Sequence, residues 1–292
     1  MMILTISQII VHVANVYLNC MNNPIFVMSF ILPDSRKRKL EKDKILFKLS
    51  FLLLKKLGYE VHFYGDDNAI KEFSHIKWDY QDNYLEKINK NYYHTWSIGK
   101  LFSIQKAVEN YNYFFHIDGD IFIFDRLPES ILKSDIITLH TEKNYKFDSL
   151  LNNCKFLPLE LNSRPTHAYN MSFFGGNSII LKKYITHCLN FILDEANSKY
   201  FQDKNQINTL LAILAEQGYF TCYADFFKIN VKTIYENFNF FSEKIQHIRL
   251  QYSEISVNHY NDLEKFKKII HTYNEYDGLN GIEQFDQFFN VI

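Results

Sequence analysis

Residues 113–124 read YFFHIDGDIFIF, two uninterrupted apolar runs with Asp118 and Asp120 set between them. A run this apolar suits a strand buried on both faces of a parallel sheet, whereas a solvated hairpin would alternate apolar and polar residues. Carboxylates inside such a sheet would be costly. The conflict is relieved if the strand stops at Asp118 and both acids stand at its carboxyl edge, where open α/β sheets bind ligands. Neighbouring carboxylates repel, so a positive group belongs between them. A divalent cation with oxygen ligands meets that need and takes further oxygens from substrate phosphates. Gly119, between the acids, lets backbone approach a ligand closely. The competing account is a surface turn, because Asp-Gly is a common turn dipeptide; the apolar flanks weigh against it.

The rest of the chain alternates short apolar runs with helical periods, the pattern of an α/β sheet. Residues 25–31 and 59–64 read as strands around a helix at 42–57, with Gly58 at its C-terminal cap position, so the three form a βαβ unit. A helix is expected over 96–110, strands over 112–117, 121–124 and 135–140, and loop with short elements over 141–169. A further helix is expected over 203–217, opened by Asp203 and Gln206 as a capping box and closed by Gly218, followed by a strand at 219–227. At 292 residues the chain is long enough for one large α/β domain, and 9 Gly and 5 Pro leave little material for flexible linkers. A single domain over 1–292 is the expectation.

A net charge of −1 supplies no basic field for nucleic acid or an acidic membrane. Cys20, Cys154, Cys188 and Cys222 are far apart and lack CxxC spacing, which argues against a zinc site or a disulfide framework and for reduced thiols in a cytosolic protein. The apolar first twenty residues are interrupted by Gln8, His12 and Asn15 and are not preceded by Lys or Arg, so they read as a buried element rather than a membrane segment.

An apolar strand, Asp-x-Asp and a second apolar run together resemble the signature of GT-A-fold glycosyltransferases. Trp96–Lys100 (WSIGK) before the acidic strand and Phe174–Asn177 (FGGN) about fifty residues after it extend the likeness to roughly residues 60–225. The layout is most similar to bacterial members related to glycogenin-like and toxin-type sugar transferases. The resemblance implies a single Rossmann-type α/β domain with a mixed, mostly parallel central sheet flanked by helices. Its nucleotide-sugar half would span about 20–125 and its acceptor side about 126–292. It implies Mn2+ or Mg2+ held by Asp118 and Asp120, with a late histidine, His259, as third ligand. It implies a UDP- or GDP-sugar donor, a glycan, lipid or protein acceptor, and a cytoplasmic location or a peripheral one at the inner face of a membrane. Neither nucleic acid nor a transmembrane segment is expected.

Each further candidate carries a plainer reading beside the functional one. Lys100, one turn along from Trp96, would neutralise a diphosphate, or would be a solvated surface lysine. Trp96 would stack on a base or sugar ring, or pack in the core. Asp66, ending the second strand, would accept from base or ribose, or serve a turn. Gly175 and Gly176, the sole Gly-Gly pair, would let backbone pass close to donor or acceptor, or form a tight turn. Tyr169 and Asn170 would hydrogen-bond sugar hydroxyls. Asp203 and Gln206 would face the transferred sugar, Asp203 as a candidate base, or would cap a helix. A lone histidine such as His259 is more often structural, and His116 on the acidic strand reads as buried. Two other function classes remain: another divalent-metal enzyme of phosphoryl or nucleotidyl transfer, for which Asp125 is the near extra carboxylate, and a non-catalytic carbohydrate-binding protein, for which 27 Phe and 20 Tyr would suffice.

Overall fold

Strand β1 (Ile25–Phe30) leads through helix α1 (Leu40–Lys56) to strand β2 (Glu60–Gly65), and the two strands pair in parallel with Ile25 opposite Glu60. The computed structural model describes residues 24–32, 40–95, 97–123, 126–127, 131, 134–143, 151, 154–162, 165–203, 212–234 and 245–247. Helix α1 buries Leu46, Phe47, Leu49, Phe51, Leu53 and Leu54 and leaves Lys48, Lys55 and Lys56 in solvent, the one-sided stripe of a helix lying on a sheet. Gly58, at φ 81°, ends it: its N–H donates to Lys55 O (2.9 Å) and Tyr59 N–H donates to Leu54 O (3.0 Å).

The chain continues through helix α2 (Asp67–Glu72), strand β3 (Tyr80–Asp82), helix α3 (Ser97–Asn110) and strand β4 (Tyr113–Ile117). Strand β5 (Ile121–Ile123) leaves the main sheet. Strand β6 (Ile136–Thr138) is followed by β7 (Thr141–Lys143), which pairs with β8 (His167–Tyr169), and by β9 (Phe173–Asn177). Helices α4 (Ser178–Leu193) and α5 (Glu195–Gln202) come next. A π-helical turn (Leu214–Gly218) then runs into helix α6 (Tyr219–Phe226), and β10 (Val231–Thr233) and β11 (Ile245–His247) follow. The seven-stranded sheet has the order β10-β6-β9-β4-β1-β2-β3. All its pairings are parallel except those of β9 with β4 and β6, so the sheet is mixed and mostly parallel, as expected.

Both faces of the sheet are covered. Phe26, Met28, Phe115 and Phe173 point into one apolar cluster with Phe47, Phe51 and Leu54 of α1. Val27, Phe114 and Phe174 point into the other, with Ile98, Leu101 and Ile104 of α3, Leu181 and Tyr184 of α4 and Phe220 of α6. Consecutive phenylalanines on β4 and β9 thus serve opposite faces, which accounts for uninterrupted apolar strands. Among the described residues, no helix is long and apolar enough to cross a membrane. Cys154, Cys188 and Cys222 are buried thiols; Cys20 lies outside the described residues.

Two expectations are corrected. The expected strand over 219–227 is instead helix α6 (Tyr219–Phe226), with Phe227 as its C-terminal cap residue. Tyr219 through Ala224 are all buried, so the helix is apolar all round and presents no stripe from which its period could be read. Gly218 does not close a helix; it continues the π-helical turn into α6. Asp203 is the C-terminal cap residue of α5, and Gln206, with the rest of the expected helix opening over 204–211, lies outside the described residues.

Candidate functional site

Strand β4 lies between parallel β1 and antiparallel β9, and its last paired residue is Ile117, opposite Phe173. The next residue is Asp118, so the acidic pair stands at the carboxyl edge in the middle of the sheet. It is not a hairpin tip, because β5 pairs antiparallel with β11, Ile121 opposite His247, rather than folding back on β4. The corner is built from both sides. Asp118 N–H donates to Ser172 O (2.8 Å), and Ile121 N–H closes the turn on Asp118 O (3.1 Å). From α1, Ser50 Oγ donates to Ile121 O (2.8 Å).

Gly119 answers to that same helix. A Cβ there would lie 2.2 Å from Cδ2 of Phe47, so the glycine permits close packing of α1 under the corner. Gly175 and Gly176 likewise serve the protein's own backbone. They lie inside β9, where a Cβ at 175 would sit 2.1 Å from Phe114 O and one at 176 would sit 2.2 Å from Asp135 O. Gly176 also has φ 136°, which L side chains rarely adopt. The pair does not form a turn; it lets three strands crowd together beside the acidic strand.

Lys100, in the first turn of α3, is buried beneath the acidic corner with 5% of its side chain exposed. Its ammonium lies 2.8 Å from Asp118 Oδ1 and 3.0 Å from Oδ2, 2.5 Å from Glu216 Oε1, and 3.1 Å from Met171 O, so its three protons are all engaged. It is therefore neither a solvated surface lysine nor a loose cation awaiting a diphosphate. Burial works against its charge, but Asp118 and Glu216 outweigh burial and raise its pKa above the ordinary lysine value. Glu216, in the π-helical turn, is 1% exposed, and its Oε2 is buried without a hydrogen-bond partner. Burial and the Asp118 charge push its carboxyl up to about 7 against the pull of Lys100, since one ammonium cannot compensate two carboxylates as well as desolvation.

This shift has a consequence for stability. The unfolded chain releases the Glu216 proton near 4.5 and the folded chain holds it to about 7, so the folded state loses stability as pH rises through that window. The loss amounts to at most about 3 kcal/mol for a displacement of this size. Denaturant midpoints measured from pH 4.5 to 7 should therefore fall less steeply for Glu216→Gln than for the native protein.

His116 is buried on β4. Its Nε2 lies 2.8 Å from Ser29 Oγ, and its Nδ1, without a hydrogen-bond partner, lies 3.9 Å from Asp118 Oδ1. Burial first, and Lys100 second, hold its pKa well below the ordinary histidine value, so it is neutral beside Asp118.

Asn170 sits behind the corner. Its Nδ2 donates to Glu142 Oε1 (2.8 Å), its Oδ1 accepts from Ser172 N–H (3.0 Å), and it is 1% exposed. It pins the segment whose Met171 and Ser172 carbonyls receive Lys100 and Asp118, so it shapes the site from within rather than facing sugar hydroxyls. Tyr169 N–H donates to Thr221 Oγ1 (2.9 Å), tying the same segment to α6. Asp66 is 1% exposed: Oδ1 accepts from Ala69 N–H (2.7 Å) as the N-cap of α2, and Oδ2 accepts from Leu32 N–H (3.1 Å). It straps β1 to β2 at the edge, which is its turn reading made specific. Trp96, Asp125, Gln206 and His259 lie outside the described residues.

Glu216 is the residue that reading the sequence passed over. Its signal was present: a lone carboxylate in the apolar segment 210–220, LLAILAEQGYF, poses the same problem as the aspartates between their apolar runs. The tail also returns to the site, with the backbone of His247 opposite that of Ile121.

A family model described as a Family of unknown function (DUF6734) matches residues 42–283. No curated protein matches the chain.

Proposed function

The chain belongs to the family whose model spans residues 42–283, and for this member we propose a metal-dependent glycosyltransferase that takes its sugar from a nucleotide-diphosphate donor. The observation that carries the reading is the position of Asp118, the first residue past the carboxyl end of a central strand, with Asp120 two residues on and a buried lysine beneath. Crevices at that edge are where open α/β sheets bind nucleotides.

Among the described residues no group of three or more His, Cys, Asp or Glu could hold a metal ion. The donor set on offer is therefore partial, and a partial carboxylate set is what Mg2+ or Mn2+ uses when phosphate oxygens and water complete the shell. Asp118 and Glu216 share the Lys100 ammonium, and Asp118 keeps 26% of its side chain exposed, so a carboxylate fixed from one side remains reachable by an ion. Asp118 and Asp120 would hold the ion, which would supply stabilisation of charge on a leaving diphosphate. Lys100 acts through Asp118, fixing its carboxylate from below. The acceptor side of the site would be built by the segment 167–172, which Asn170 and Thr221 hold in place.

Calorimetry with UDP and GDP, each with and without Mn2+, tests the reading, followed by a screen of sugar nucleotides for slow donor hydrolysis. Metal-dependent binding of a nucleoside diphosphate is the expected result. Binding that ignores the metal, or none to either nucleotide, would sink the proposal, and cleavage of phosphoanhydrides without sugar release would favour a phosphoryl-transfer enzyme instead.

A further inference from the structure

The ammonium of Lys100 is shared unequally. It lies 2.5 Å from Glu216 and 2.8 Å from the nearer oxygen of Asp118. If Asp118 were its only carboxylate partner, the two would form a closed internal ion pair with little charge left for a cation. Glu216 draws on the same ammonium from the opposite side of the chain, 116 positions away in sequence. Of the three groups only Asp118 reaches solvent appreciably, so a cation arriving from solvent would meet the cluster at that carboxylate.

Glu216 is poorly explained as a stabilising residue. Its Oε2 is buried without a partner, and burial opposes its ionisation. Replacement of a whole buried ion pair by apolar groups is often neutral or stabilising, so burial energy alone gives no reason for a Lys100–Glu216 pair here. It is also carried on the π-helical turn Leu214–Gly218, and π-bulges are frequent at functional sites.

We propose that Glu216 is a positioning residue of the acidic site: it holds the Lys100 ammonium so that Asp118 keeps negative charge for a divalent cation. The inference rests on the reading of Asp118 and Asp120 as cation ligands and adds to it a residue that never touches the ion. No bond is made or broken in this role; Glu216 sets where one positive charge sits.

The test measures Mn2+ affinity, by the signal of free Mn2+, for the native protein and for the Glu216→Gln, Glu216→Asp and Asp118→Asn variants, with and without UDP or GDP, alongside each variant's thermal midpoint. Glu216→Gln should remain folded and bind Mn2+ about tenfold more weakly, the range seen when groups behind metal ligands are changed. Glu216→Asp, which keeps the charge, should recover part of the loss, and metal-free nucleotide binding should not move. Native affinity in folded Glu216→Gln while Asp118→Asn loses the metal would overturn the role of Glu216 and leave the parent reading standing. So would an equal loss in the Gln and Asp variants. If the native protein itself fails to take up Mn2+ with either nucleotide, both readings fall together.

Discussion

Lys100→Met should unfold the protein at markedly lower denaturant, with a loss of about 3–5 kcal/mol, the range for removing one partner of a buried ion pair. Methionine nearly preserves the length and volume of the side chain, so the packing of α3 on β1 and α4 changes little. What changes is charge. Asp118 and the almost fully buried Glu216 would face each other without the ammonium that separates them, and Met171 O would lose its donor. Glu216 would respond by taking up a proton, as its carboxyl already does at about 7. The loss should therefore be larger at pH 8 than at pH 5. A cycle with Glu216→Gln sharpens the assignment: the double variant should be more stable than Lys100→Met alone, because the second substitution removes one of the two stranded carboxylates. Simple additivity of the two single effects would show that the pair is not coupled, and a loss under 1 kcal/mol for Lys100→Met would contradict the geometry of the cluster.

Asp120→Asn should leave the fold in place and remove metal-dependent turnover, by a factor on the order of 10² or more if the carboxylate holds the ion that stabilises the leaving group. The asymmetry with Lys100 comes from position. Asp120 is half-buried in the corner between β4 and β5, whereas Lys100 lies beneath it, so a change of one atom at Asp120 disturbs little packing. The measurements are steady-state donor hydrolysis at several Mn2+ concentrations and the thermal midpoint. Turnover near the native level at saturating Mn2+ would remove Asp120 from the site. Recovery only at high Mn2+ would mean that it binds the ion without being essential to the chemistry.

Local pattern carried far along the first half of the chain. The period of α1, the left-handed Gly58 after it, and the apolar runs of β1, β2 and β4 all appear in the structure within a residue or two of where they are read, because each is dictated by neighbours in sequence and by which faces must leave water. The acidic corner was legible for the same reason: charge between two buried runs has few places to go. Side-chain employment was not legible. Asp66, Asn170 and the glycines 119, 175 and 176 all looked available to a ligand, yet each is engaged by the protein's own backbone or packing.

The helix at Tyr219–Phe226 shows the limit most clearly. Its aromatic residues favour a strand by propensity, and burial on every side erased the periodicity that would have argued for a helix. Amino-acid order decided which segments are apolar and where charge interrupts them, since both follow from the residues themselves. Only the folded chain decided that a glutamate far along the sequence meets Lys100 and Asp118. A buried charge must find its partner through space, and nothing in local pattern states which distant segment will be brought there.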